Sequence, residues 1–350
     1  GTICGLYGID AEARPYELVK GFTAEVVDRL GARRGTSAPV RWRGAVTMPY
    51  DAFALKLVLD EMTQAAGVRL ALHSQLVDVL RVGDSVTTAL IEGPGGRWAA
   101  QAPVFVDASG NADLVARGGG DFEFDRSQCQ LPTATFRFGN VSDERARAVT
   151  RDDLRALLEA ANAQGAGLPR TCGGVYFHAH GTAHVNITRV RVADRSPDPF
   201  DTFELSDAEL EGRRQVLAYE QAFKRHVPGY VDAFVLDSSA TLGIRESRRV
   251  AGDFRLEIDH VYGAARFDDA VAACAWPVEV HERGSTATRW DWLPPGVHYE
   301  IPWRCLLPRG MRNVAVAGRC ISASHEAQGS LRVTATCMAM GQAAGVGAAL

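Results

Sequence analysis

His325 sits beside Glu326, and Arg332 follows seven positions after the histidine. An imidazole changes charge near neutral pH and can take or give a proton as a bond is made or broken. It can equally be a structural side chain. The Arg332 guanidinium has the fork geometry to clamp a substrate carboxylate through two parallel hydrogen bonds, or it pairs with Glu326. A second concentration of charge is Arg245-Glu246-Ser247-Arg248-Arg249. That run is either a carboxylate or phosphate site or the salt-bridged face of a surface helix. A third run, Gly341-Gln342-Ala343-Ala344-Gly345, is placed early in a helix of small residues. Small side chains let a helix lie against a flat group, and the N–H groups at its start stabilise an electron-rich ring oxygen. The alternative is a close seam with another helix.

Two apolar runs end in glycine-bearing turns. Residues 104–107 lead into Ala108-Ser109-Gly110, and residues 313–317 lead into Gly318-Arg319. Open α/β sheets bind ligands at the carboxyl ends of their strands, where glycine lets ligand and backbone approach closely. His178, His180 and His184 lie in one strand region; His178 and His180 are two apart and would share a strand face, which could suit a metal, but no third ligand is evident. The cysteines at 4, 129, 172, 274, 305, 320 and 337 form no Cys-x-x-Cys pair and no zinc spacing. They read as reduced thiols packed as small hydrophobes, which points to a reducing, cytoplasmic compartment.

These residues need elements to hold them. Helical periodicity with Pro49, Asp51 and Gly67 as boundaries predicts a helix over 50–66. Strands are expected at 68–73, 76–81, 86–92, from Trp98 onward and at 104–107, the middle ones as a meander. Polar helices are expected at 151–163 and 206–224, antiparallel strands within 175–188, a loop over 276–296, and a final helix over 338–350. A chain of 350 residues implies about two domains, and 46% hydrophobic with 23% charged residues is ordinary globular composition. The net charge of −4 argues against nucleic-acid or anionic-membrane partners, and no apolar run has the length of a membrane helix.

Several stretches taken together resemble one family. The segment "LLPRGMRNVAVAGRCISASHEAQGSLRVTATCMAMGQAAGVGAAL" resembles the C-terminal flavin-closing segment of the bacterial FAD-dependent oxidoreductase family, within the glutathione-reductase-like superfamily. "GIRESRRVAGDF" with "GAARFDDAVA" is similar to its middle block. "MPYDAFALKLVLDEMTQAAGVRLALHSQLVDVL" with "VFVDASGNADLVARGG" is similar to its helix, meander and strand block. The resemblance implies an α/β fold, in which an FAD-binding Rossmann-like domain (1–125 and 301–350) carries an inserted α+β substrate domain with an antiparallel sheet (126–300). It implies FAD as cofactor, hydride transfer with a small organic substrate, and a possible separate electron acceptor. Leu76, through its backbone, would meet the adenine. Ala108, Ser109, Gly110, Gly318, Arg319 and Gly341 to Gly345 would line the cofactor, and His325, Arg332 and Arg245 would face the substrate. The family opens on a strand, a Gly-x-Gly-x-x-Gly turn, a helix and an acidic residue. "GTICGLYG" resembles the segment just beyond, so a few dozen residues are expected before Gly1, and the first βαβ unit is expected to be missing. The alternatives are a remnant that has lost FAD, or a lyase or isomerase on the same scaffold.

Overall fold

The computed structural model describes residues 1–281 and 288–350. The chain forms two compact units. One comprises Thr2–Phe124, Glu246–Glu279 and Trp290–Leu350; the other comprises Asp125–Arg245 with Gly1 and Val280–Arg289. Residues 246–279 and 290–300, read in the sequence as part of the middle domain, thus share a unit with Thr2–Phe124 and the C-terminal stretch.

In the larger unit the helix Ala52–Ala65 starts where Asp51 accepts a hydrogen bond from the Ala54 N–H at 2.8 Å. It ends before Gly67, whose φ of 68° is left-handed backbone that glycine adopts without strain. A helix the sequence does not announce, Phe22–Ala32, buries Thr23, Val26 and Leu30. It packs in a core with Ile3, Leu6, Met48, Val58 and Ala335. Strands Gln75–Val82, Ser85–Gly93 and Gly96–Ala100 form the expected antiparallel meander. The expected strand at 68–73 is absent. Val68, Leu70 and Leu72 alternate as a strand would but stay 51%, 44% and 71% exposed, and no described strand runs beside them to take up their backbone groups.

Phe105–Asp107 and Val314–Val316 are parallel neighbours, with Phe105 opposite Val314 and Asp107 opposite Val316. Asp107 then shapes the turn. One carboxylate oxygen accepts from the Ser109 N–H and hydroxyl at 3.0 and 2.6 Å; the other accepts from the Leu114 and Val115 N–H groups at 2.9 and 3.2 Å. A buried carboxylate is tolerated there because the start of the helix Asp113–Arg117 supplies its donors.

The smaller unit is a four-stranded antiparallel sheet in the order Gly174–His178, Thr182–Asn186, Phe136–Gly139, Phe234–Ser238. Strand alternation explains its two faces. Ala183 and Val185 are fully buried with Phe136, Phe138, Tyr219 and Phe223 in a core shared with the helices Arg151–Ala163 and Thr202–His226. Thr182, His184 and Asn186 point to the other face and are half-buried. His178 and His180 do not share a strand face, because the strand ends at His178 and His180 lies in the turn at a φ of 60°. The expected loop over 276–296 holds short strands at Val278–Val280 and Arg289–Asp291; its residues 282–287 lie outside the described ones.

Candidate active site

The segment 244–250 is not helical. Arg249–Val250 pairs antiparallel with Phe122–Glu123, and Glu246 and Arg249 are buried at 2% and 6% exposure. A surface helix is therefore excluded. Arg248 lies over the Phe122 ring at 5.1 Å and pairs with Asp113 at 3.3 Å.

Glu246 is the hub. Both its carboxylate oxygens are 2.9 Å from His325 Nδ1, and Arg249 Nη1 forms an ion pair with it. Arg249 also donates through Nε to the Ala323 carbonyl at 2.9 Å. Because a carboxylate can only accept, it fixes the proton on Nδ1 and leaves Nε2 as the working nitrogen. Among the described residues none hydrogen-bonds to that Nε2. Next along the chain, Ser247 donates through its hydroxyl to the Gly110 carbonyl at 3.1 Å and shares a hydrogen bond with Asn111 Oδ1 at 2.9 Å. Arg319 Nη2 donates to the same Asn111 oxygen at 2.7 Å. The turns that end the two parallel strands are thereby tied to the Glu246 segment.

His325 is not in a loop. It opens the helix His325–Leu331, whose start is capped by the Ser324 hydroxyl accepting from the Ala327 N–H at 3.3 Å. Arg332 is the residue that closes this helix. Six positions of helix put it about 9 Å along the axis from Glu326, so an i to i+6 pairing across the helix is poorly placed. Arg245 belongs to the smaller unit, where its Nη2 donates to Asn186 Oδ1 at 3.4 Å. Within the larger unit the partner of His325 is Glu246, which in turn pairs with Arg249.

The last helix runs Thr334–Ala349, so Gly341 is well inside it and not near its start. Its N–H, like those of Gln342 to Gly345, belongs to the helix ladder and is not available to a ligand. Gln342 instead accepts from the Phe22 N–H at 2.9 Å, and its amide occupies the space where a Cβ on Gly21 would sit. A Cβ on Gly341 or Gly345 would meet nothing within 4 Å, and Ala344 is buried in the fold. Gly341→Leu therefore has open space and is not expected to clash. The positions at the helix start are Thr334, Ala335 and Thr336.

At the strand ends, Gly318 has a φ of 92° and nothing within 4 Å of where its Cβ would be, while the space beside Gly110, at a φ of 73°, is filled by the Arg319 guanidinium. Ala108 and Ser109 are exposed in the turn. Arg319 Nε and, at the start of the last helix, Thr336 Oγ1 are buried with no hydrogen-bond partner among the described residues. Burial pushes the Arg319 guanidinium below its ordinary basicity. Leu76 lies in the meander opposite Ile91, just before an irregularity in that ladder.

His184 lies on the half-buried face of the smaller unit's sheet, its ring stacked on Tyr176 at 6.2 Å. Burial first, then positive neighbours including His178 and Arg137, push its pKa down to about 3. A depressed folded pKa means that stability is fully present above the unfolded value of about 6.5 and is lost as pH falls toward 3. The loss from this one proton approaches about 1.4 kcal/mol per pH unit. His184→Gln should flatten the acid limb of unfolding free energy, measured by urea denaturation between pH 7 and 4; equal slopes for variant and wild type would refute the assignment.

Across residues 1–350 the sequence matches the family described as FAD dependent oxidoreductase. The chain belongs to that family. Among solved structures it is similar to p-nitrophenol 4-monooxygenase PnpA from Pseudomonas putida DLL-E4, at 13% identity and a TM-score of 0.37 over 73% of this chain and 54% of that one. It is similar to a geranylgeranyl bacteriochlorophyll reductase-like protein from Thermoplasma acidophilum, at 13% and 0.37 over 70% and 51%. It is also similar to the flavin-dependent monooxygenase PieE, solved with FAD and substrate, at 16% and 0.33 over 64% and 34%. The chain thus spans about half or less of the length of these structures. No curated protein matches it. Among the described residues no helix is long and apolar enough to cross a membrane, and no group of His, Cys, Asp and Glu could hold a metal ion. The residues at the strand ends fit the family's cofactor in kind: a glycine with open space beside it, and an arginine with a buried donor lacking an acceptor.

Proposed function

We propose that this chain carries out FAD-dependent hydride transfer with a small organic substrate, the larger unit binding FAD. The observation that carries this is His325 held through Nδ1 by the buried Glu246, next in sequence to the segment tied to both strand-end turns. Gly318, Arg319 and the Ala108-Ser109-Gly110 turn would hold the cofactor, with Arg319 Nε supplying a donor to an electron-rich group. FAD, when bound, supplies the hydride acceptor; the protein supplies placement and proton handling. His325 takes the substrate's proton on Nε2, Glu246 holds the ring in that tautomer, and Arg249 offsets the charge that the carboxylate would otherwise leave buried.

The test is flavin uptake. The protein mixed with FAD and desalted should retain flavin absorbance at a near-stoichiometric ratio. Gly318→Val should weaken retention at least about tenfold, because a branched side chain both fills the open space and resists a left-handed φ. A colourless wild type, or a Gly318→Val variant that folds and holds flavin equally, would defeat the proposal.

A further inference from the structure

The geometry points to a second small-molecule site in the larger unit, built by the hairpin Val40–Trp42 and Ala45–Pro49 and the segment 292–297, that takes a planar aromatic carboxylate. A cavity of about 310 Å³ lies there, lined among others by Arg41, Arg43, Gly44, Trp292, Pro294 and Val297. None of its lining residues belongs to the Glu246–His325 cluster.

The aromatic residue of the lining, Trp292, is held in place by other indoles. Trp42 meets Trp290 and Trp292 edge-on at 5.0 and 5.1 Å, and Trp290 and Trp292 stack at 5.7 Å with 16° between their planes. Trp276 meets Trp290 at 6.3 Å. A Cβ on Gly44 would come within 3.1 Å of the Trp292 ring, so the indole lies directly on the hairpin backbone. The turn is strained, since Arg43 has a φ of 51° where non-glycine residues are uncommon. Backbone strain concentrates at ligand sites.

Among the described residues the charge at this cavity has no carboxylate partner. Arg41 donates to the Ala13 carbonyl at 2.7 Å and to the Arg43 carbonyl at 3.2 Å. The Arg43 guanidinium lies 5.4 Å from the Trp42 ring centroid. Neither arginine has a carboxylate within 4.0 Å among the described residues, although the chain as a whole is acidic. Trp292 Nε1, in the cavity lining, is buried with no acceptor among the described residues. Such a donor in a native protein calls for an explanation. An aromatic ring bearing a carboxylate answers all three features. The ring stacks on indole, the carboxylate meets two guanidiniums, and its oxygens offer acceptors. The volume, at the small end of ligand pockets, limits the guest to a compact one.

Tryptophan fluorescence reads the site directly. Titration of the protein with benzoate should give saturable quenching, with benzamide about tenfold weaker because it lacks the charge. Arg43→Gln should weaken benzoate severalfold, and Arg41→Gln/Arg43→Gln at least about tenfold. Arg43 is exposed and its guanidinium holds no hydrogen bond among the described residues, so its single variant keeps the test readable if the double variant folds poorly. His325→Gln should leave benzoate affinity unchanged. The proposal is overturned if wild type shows no saturable quenching, if benzamide binds as tightly as benzoate, if Arg43→Gln has wild-type affinity, or if only His325→Gln weakens binding.

Discussion

Glu246→Ala should destabilise the larger unit by about 3–5 kcal/mol, the usual cost of removing one partner of a buried ion pair. The carboxylate is fully buried and has two clients at once, His325 Nδ1 and Arg249 Nη1. Its removal leaves the Arg249 guanidinium buried, with the Ala323 carbonyl and a 3.7 Å contact to Glu123 as its remaining partners. A buried cation so poorly matched is costly whatever happens to His325. Glu246→Gln keeps the shape and an acceptor for Nδ1 and should cost less. Glu246→Leu with Arg249→Met removes both charges and should recover much of the loss, because the pair's net worth is far smaller than the cost of breaking it. Urea denaturation of the four proteins measures these costs side by side. If Glu246→Ala unfolds within about 0.5 kcal/mol of wild type, or if the double variant is no better than the single, the hub is not energetically what its geometry implies.

Much of the scaffold is legible in the sequence because local chemistry and global position agree there. Asp51 and Gly67 mark the ends of the helix Ala52–Ala65, and the apolar stripe between them leaves few alternatives. The short runs ending at Asp107 and Ala317 read as buried parallel strands, and they pair as such although some 200 positions separate them. The family resemblance points to the same strand-end turns. Elsewhere the local signal misleads. The last helix begins at Thr334 after Val333, which offers no side-chain acceptor to announce it, so sequence pattern places the start several residues late and gives Gly341 a terminal role it does not have. Val68 to Leu72 carries a strand's alternation, but alternation makes a strand only where a neighbour accepts its backbone. Glu246 is the acid inside a basic run, and nothing in that run distinguishes a surface ion pair from a buried hub. What decides it is a contact across 79 positions to His325, which no local pattern encodes.

His325→Gln should leave flavin content unchanged and slow reduction of the bound flavin by roughly 10²–10⁴, the usual contribution of a positioned general base. The argument is one of tautomer. With Nδ1 engaged by Glu246 at 2.9 Å, Nε2 carries the lone pair that can receive a proton. The glutamine side chain of this variant can still reach the carboxylate through its amide but has no group that accepts a proton near neutral pH. Stopped-flow reduction, with any compound that reduces the wild-type flavin, separates the two roles a histidine can play here. A catalytic base predicts a lowered limiting rate, little change in the substrate concentration at half-saturation, and loss of the wild-type pH profile's acidic limb. A structural histidine predicts a lowered melting temperature with the limiting rate and its pH profile intact. Glu246→Gln supplies the internal check as a positioning residue: it should lower the limiting rate less than His325→Gln does, because the imidazole remains while its orientation is less well held. A His325→Gln protein that folds, holds flavin and is reduced at the wild-type rate across the pH range would remove His325 from the chemistry and leave the cluster with a purely structural part.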